Sequence, residues 1–297
     1  MELSICSYSF HRLLADGKQD MFKYITDCKE LGCTQLDPWN AHFAGVPDAE
    51  TFKKGCSGPD LSVQLSAREI EYLDSVKAAA EAVRLPFGCI AVDGAHIYEP
   101  TPEARKANRA FAGHWLEIAG KLGAKQVRID CGGSAEMPLP SQDGRLSARH
   151  GDSPETPADM FNIIVEGYKD LIKRAGQKKL EVLIENHWAA SIIPEKLVKI
   201  LDAVPGLVQL FDTNNWAEGM KQKGWEMCAK YARATHVKTF SFDKDGNEPS
   251  VDIPGAIRIL VNSGYKGCWG VESCPEDGDE YAGVRKTFEL IKRVVGK

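Results

Sequence analysis

The sequence predicts an α/β fold, a (β/α)8 barrel over residues 1–297 with extended loops after strands 2 and 4. Three observations predict it. Short apolar runs alternate with amphipathic segments eight times along the 297 residues. Three helix-to-strand joints, ELGCTQLD, KLGAKQVRID and NSGYKGCWGVE, put glycine between the last helical turn and the next strand. The turn after the first strand, SYSFHRL, lacks the glycine-rich phosphate loop of an open doubly wound sheet.

The elements follow in order. ELSICSY (2–8) is the first strand. Asp20 reads as an N-cap ahead of Phe22, Ile25, Cys28 and Leu31 at helical spacing, with Gly32 as the stop. CTQLD (33–37) is the second strand. Ser66 and Glu69 fit a capping box that opens a helix carrying Ile70, Leu73, Val76 and Ala80. PFGCIAVD (86–93) is the third strand. Thr101-Pro102 puts proline at the first helical position, before the stripe Phe111, Trp115, Ile118, Leu122. AKQVRID (124–130) is the fourth strand, and Thr156-Pro157 repeats the opening device.

LEVLIENH (180–187) is the fifth strand, followed by a short helix after Pro194. GLVQLFD (206–212), ATHVKTF (234–240) and GCWGVES (267–273) complete the set. Asp252 caps the helix with Ile257, Leu260 and Val261, and Val284, Phe288, Ile291 and Val295 mark the last helix. Two strand-to-helix connections, 40–65 and 131–155, are far longer than the usual two to six residues. They lie at the end where barrel sites are built, and the second contains His150.

The composition, 43% hydrophobic and 27% charged, is ordinary for a globular chain. A net charge of −5 gives no general attraction to nucleic acid or anionic membranes. No apolar run approaches the ~18 residues of a membrane span. Nine cysteines without CxxC spacing suggest a reduced compartment, with the cytoplasm as the default location.

Four consecutive strands end in a metal-type ligand: Glu185, Asp212, His236 and Glu272, separated by 27, 24 and 36 residues. Singly, each has a structural reading. Asp212 can cap the next helix, His236 can be a satisfied core histidine, and Glu272 can pair with Lys266. Together they converge on one barrel mouth. Three carboxylates and one imidazole favour one divalent ion, Mn²⁺ or Mg²⁺, with Co²⁺ or Zn²⁺ able to occupy the same cage. Strand side chains alternate with period two, so His187 shares the face of Glu185, and Lys238 that of His236. Arg128 and Asp130 share a face and can pair, and Trp39 stands at the root of the connection 40–65.

The motifs ENH, FDTNN, HVK and GVES, in this order, resemble the sugar phosphate isomerase/epimerase superfamily, the xylose isomerase-like TIM barrels. The resemblance covers nearly the whole chain. It implies a divalent ion held by Glu185, Asp212, His236 and Glu272, with the two glutamates as acid/base groups on opposite sides of a sugar. They would move a proton at a carbon next to a carbonyl through an enediolate. His187 and Lys238 are further catalytic candidates, and Trp39, Asn215, Arg128 and His150 candidate substrate contacts. Ketose 3-epimerases of this superfamily carry histidine where this chain has Asn215, arginine where it has Phe242, and glutamate where it has Ser191. Substrate contacts must therefore be supplied differently. A lyase of the same superfamily, an inosose-type dehydratase or a β-eliminase of a 3-keto-glycoside, shares the first proton abstraction. An apurinic-endonuclease-like hydrolase is disfavoured by only seven histidines and net acidity. A non-catalytic carbohydrate-binding protein on the same scaffold is the other class. The expected partner is a small sugar or keto-sugar, with no nucleic acid and no membrane, and a homo-oligomer is compatible.

Overall fold

The computed structural model describes residues 1–55, 64–138 and 157–296. Among these residues the seven parallel strands are Leu3–Ile5 (β1), Cys89–Tyr98 (β2), Gln126–Gly132 (β3), Glu181–Glu185 (β4), Val208–Asp212 (β5), Ala232–Thr239 (β6) and Trp269–Ser273 (β7). Their spatial order is β1-β7-β6-β5-β4-β3-β2. The helices are His11–Ala15 (α1), Met21–Glu30 (α2), Ala49–Gly55 (α3), Ala67–Val83 (α4), Pro102–Leu122 (α5), Pro157–Gly176 (α6), Pro194–Ala203 (α7), Lys221–Cys228 (α8), Ile253–Asn262 (α9) and Glu280–Val295 (α10). This is a TIM-barrel-like α/β fold.

The expected second strand forms no regular ladder. Residues 33–39 instead lie between the two edges of the sheet, with isolated parallel bridges Cys6↔Asp37 to one side and Leu36↔Phe87 and Trp39↔Ala91 to the other. Side chains take over the role of the ladder on the β1 side. The Tyr24 hydroxyl donates to the Ile5 carbonyl and accepts from the Asp37 N–H. The Thr34 hydroxyl both accepts from the Leu3 N–H and donates to the Leu3 carbonyl. Pro38 has no N–H to offer. The backbone groups are satisfied, but strand regularity is lost.

Helix starts follow the sequence signals. Asp20, Ser66 with Glu69, Thr101 with Pro102, and Asp252 cap α2, α4, α5 and α9 as expected. Gly32, Gly123 and Gly264 end their helices at φ of 84°, 72° and 87°, a region in which a side chain would be strained. Thr156 lies outside the described residues. The expected loop 40–65 contains α3, and its remainder at 56–63, like 139–156 with His150, lies outside the described residues as well.

One apolar core, with Ile90, Ile129 and Ile184 among its strand residues, lies between the sheet and the helices. A second, small one fills the strand side away from the helices: Cys89, Leu183, Leu210 and Ala234. Two residues beyond Leu183, Leu210 and Ala234, on the same face, come Glu185, Asp212 and His236. The equivalent position before Glu272 is Gly270, where a Cβ would meet the Thr235 carbonyl oxygen at 2.3 Å. No helix among the described residues is long and apolar enough to cross a membrane. The cysteines among the described residues are free, and Cys6, Cys89 and Cys268 are buried.

Candidate functional site

Period-two alternation at four adjacent strand ends gathers Glu185, Asp212, His236 and Glu272, each with a ligand atom within 4.8 Å of the others, and all four are buried. His236 Nδ1 lies 2.9 Å from Glu185 Oε1 and 2.8 Å from Glu272 Oε2. A nitrogen of the same ring lies within 4.8 Å of the Cys6 sulfur. Each glutamate turns its other oxygen to a cation. Glu272 Oε1 is 2.5 Å from Lys238 Nζ, and Glu185 Oε2 is 2.9 Å from Arg128 Nε. The second contact is off the N–H axis, so it is an ion pair without an aligned hydrogen bond.

Asp212 has no cation of its own. Its Oδ1 accepts from the Asn214 and Asn215 N–H groups at 2.6 and 2.8 Å, while Oδ2 is buried without a partner. Asn186, on the opposite parity to Glu185, fixes the neighbouring strand: its amide bonds both the N–H and the C=O of Asp212.

Charge follows these contacts. Burial pushes Asp212 up to about 6, Lys238 opposing and Glu272 and Glu185 adding to the shift. Burial acts the same way on Glu272 and Glu185. Lys238 and His236 outweigh it at Glu272 and hold that carboxyl well below its ordinary value; His236 and Arg128 hold Glu185 down. At His236 burial favours the neutral ring, but Cys6 and Glu185 raise it well above the ordinary imidazole value. The centre therefore demands positive charge. An orphaned carboxylate oxygen among three buried carboxylates and an imidazole is a donor set that fits a hard divalent cation.

Beside this centre lies a second network. Arg128, 3% exposed, spans Asp130 (Nη1–Oδ2, 2.7 Å) and Asp93 (Nη2–Oδ1, 2.9 Å) as well as Glu185. Asp93 accepts from the Trp39 indole at 2.8 Å, and Asp130 Oδ1 lies 3.3 Å from His187 Nδ1, whose ring stands edge-on to Trp188 with centroids 6.5 Å apart. His187 is raised to about 9: burial opposes, and Glu185 and Asp130 outweigh it. Tyr8 stands edge-on to Trp39, with ring centroids 5.0 Å apart, and its hydroxyl is raised by burial and by Cys274 and Glu272 nearby.

The predicted residues therefore meet with differing closeness. Glu185, Asp212, His236, Glu272 and Lys238 form one cluster. Arg128 joins that cluster to Trp39 and His187 through its carboxylates. Asn215 sits at the rim with its backbone N–H on Asp212 and its side-chain Nδ2 buried and unpartnered. Phe242 lies in the loop beyond β6, and Ser191 bonds the His187 N–H instead of reaching the centre. His150 is outside the described residues. Sequence reasoning missed Asp93, Trp188 and Tyr8. Asp93 carried a signal, because PFGCIAVD ends in a carboxylate as the later strands do; Tyr8 and Trp188 carried none.

The profile of the family described as "Xylose isomerase-like TIM barrel" matches residues 25–294. Comparison with curated proteins by sequence finds no match. Among solved structures, 3-keto-D-glucoside 4-epimerase YcjR from E. coli is similar over 93% of this chain and 95% of its own, at 12% identity and TM-score 0.65. The probable 3-DHS dehydratase AsbF from Bacillus anthracis is similar over 100% and 99%, at 14% identity and TM-score 0.59. A xylose isomerase-like TIM barrel protein from Mycobacterium smegmatis, in complex with magnesium, is similar over 92% and 87%, at 19% identity and TM-score 0.61. At these identities the likeness speaks for the fold.

Proposed function

The chain belongs to the xylose isomerase-like TIM barrel family, and from that premise we propose that it is a divalent-metal-dependent isomerase or epimerase that removes a proton next to the carbonyl of a small sugar or keto-sugar. The observation that carries this reading is the convergence of three carboxylates and one imidazole within 4.8 Å, with one carboxylate oxygen buried and unpartnered. Glu185, Asp212, His236 and Glu272 would hold the ion, Mn²⁺ or Mg²⁺ by the hardness of the donors. A bound divalent ion supplies positive charge beside the substrate carbonyl and so favours the charge that develops on its oxygen.

The chain's own residues do the rest. Glu185 and Glu272 are kept ionised by their cations and can accept a carbon-bound proton. Arg128 and Lys238 each grip one oxygen, which fixes the plane of either carboxylate. Lys238, with 13% of its side chain exposed, can turn charge toward an oxygen anion at the mouth. Trp39, tied by a carboxylate that shares Arg128, and Trp188, 42% exposed, offer ring faces to a sugar.

A second reading, lyase chemistry, is favoured by His187. Held beside Asp130 with 29% of its side chain exposed, it is placed to protonate a leaving oxygen after the same first step. Deuterium exchange tests the shared step. Enzyme in D₂O should wash deuterium into the carbon next to the carbonyl across a panel of keto-sugars, inososes and 3-keto-glycosides. Glu185→Gln or Glu272→Gln should slow it ~10²–10⁴-fold. Turnover that retains every carbon-bound hydrogen rejects both readings.

A further inference from the structure

We propose that this site takes uncharged sugars and rejects sugar phosphates, and that Glu248 sets the preference by holding its own carboxylate where a phosphate would be seated. The proposal rests on the sugar reading above and narrows it. In (β/α)8 barrels, phosphate is commonly bound by backbone N–H groups of the loops after the seventh and eighth strands, and by a helix N-terminus beyond them. With residues 33–39 in second place, those strands are β6 and β7.

Phe240 and Ser241, the first two residues beyond β6, both donate their N–H to Glu248 Oε2, at 2.6 and 2.9 Å. Ser250 donates its N–H and its hydroxyl to Oε1, at 2.8 and 2.6 Å. Glu248 is 4% exposed, and these donors outweigh burial to keep its carboxyl below the ordinary value, so the nest already contains an anion. Beyond β7, the Cys274 N–H is bonded to the Thr239 carbonyl and the Glu276 N–H to the Phe240 carbonyl. The two helices that follow carry their own carboxylates: Asp252 on the Gly255 N–H of α9, and Asp279 on the Ala282 N–H of α10.

The cations of the centre are similarly engaged. Lys238 is paired with Glu272, Arg128 with Asp93, Asp130 and Glu185, and His187 with Asp130. Lys286, 5.5 Å from the Phe242 ring centre, shares a hollow of about 180 Å³ with Glu276 and Asp277, whose charges offset its own. A phosphate entering here meets a fixed carboxylate and must displace four hydrogen bonds. A neutral sugar meets neither obstacle.

Inorganic phosphate, titrated calorimetrically into the purified protein, tests this without any turnover. Wild type should give no saturable binding through the millimolar range. Glu248→Ala, which vacates the nest, should gain saturable phosphate binding with a Kd at least about tenfold below the highest concentration at which wild type stays unsaturated, as expected when charge-assisted hydrogen bonds are made to an anion. Glu248→Gln keeps one acceptor oxygen in the nest and should follow wild type. A carboxylate that only pins the loop would cost stability on replacement without creating phosphate binding. Saturable binding of phosphate by wild type overturns the proposal, as does a folded Glu248→Ala that gains none. Should Glu248→Ala not fold, the wild-type titration alone decides. Either failure leaves the deuterium-exchange test of the sugar reading untouched.

Discussion

Arg128→Met removes the cation that three carboxylates share, and the structure sets the scale of the loss. Asp130 and Glu185 have 3% and 1% of their side chains exposed. Breaking a buried ion pair from one side costs about 3–5 kcal/mol, because the remaining charge stays in low dielectric. Glu185 keeps His236 at 2.9 Å, which limits its share. Asp93 is 40% exposed, so solvent screens it and it adds under about 1 kcal/mol. The expected loss at neutral pH is about 4 kcal/mol, or roughly 6 °C in Tm for a chain of 297 residues.

The pH dependence should change sign as well. In the wild type, burial raises the Asp130 carboxyl, but Arg128 and His187 outweigh it and hold the group below its ordinary 3.8. Its contribution is therefore present above that value and lost as pH falls through the depressed one. In Arg128→Met burial meets less opposition and the carboxyl rises. Stability is then lost as pH climbs from about 4 toward neutrality, and regained toward about pH 5. Urea unfolding with chelator present, at both pH values, measures this without a contribution from ion binding. A loss under about 1 kcal/mol at neutral pH, or an unchanged pH slope, refutes the account of Arg128 as the shared counter-ion.

Asp212→Asn should abolish Mn²⁺ binding in equilibrium dialysis while the metal-free protein stays at least as stable as wild type at neutral pH, since burial already pushes this carboxyl up to about 6; undiminished Mn²⁺ affinity would remove Asp212 from the ligand set. His42 is 1% exposed, with Nδ1 on the Ser7 hydroxyl at 3.0 Å and Nε2 unpartnered, and burial lowers it from 6.5 to about 4. A depressed value stabilises above 6.5 and is lost as pH falls toward 4, a change of about 3 kcal/mol. His42→Asn should lose that much less between those pH values in urea unfolding, and parallel curves would mean that His42 does not contribute.

The sequence by itself determined most of the elements, and which four strand-end residues converge, because both depend on local rules. Ser66 with Glu69, Thr101 with Pro102, and Asp252 start their helices through bonds three residues away. Glu185, Asp212, His236 and Glu272 are legible because a parallel strand followed by a helix returns each strand end to one mouth, and period two fixes the face. What lies more than one element away was decided only by the tertiary structure. Residues 33–37 have a strand's composition, but Tyr24 and Thr34 take the bonds of their ladder. Arg128 was readable as a partner of Asp130 at two residues, but not of Asp93 at 35, because no local pattern records which carboxylates a buried guanidinium will meet. Glu248 lies in a loop without periodicity, so the sequence gives no sign that its carboxylate fills the N–H nest beyond β6. Local propensity and alternation write the strands and their ends; long-range satisfaction of buried charge and buried N–H groups chooses the contacts between them.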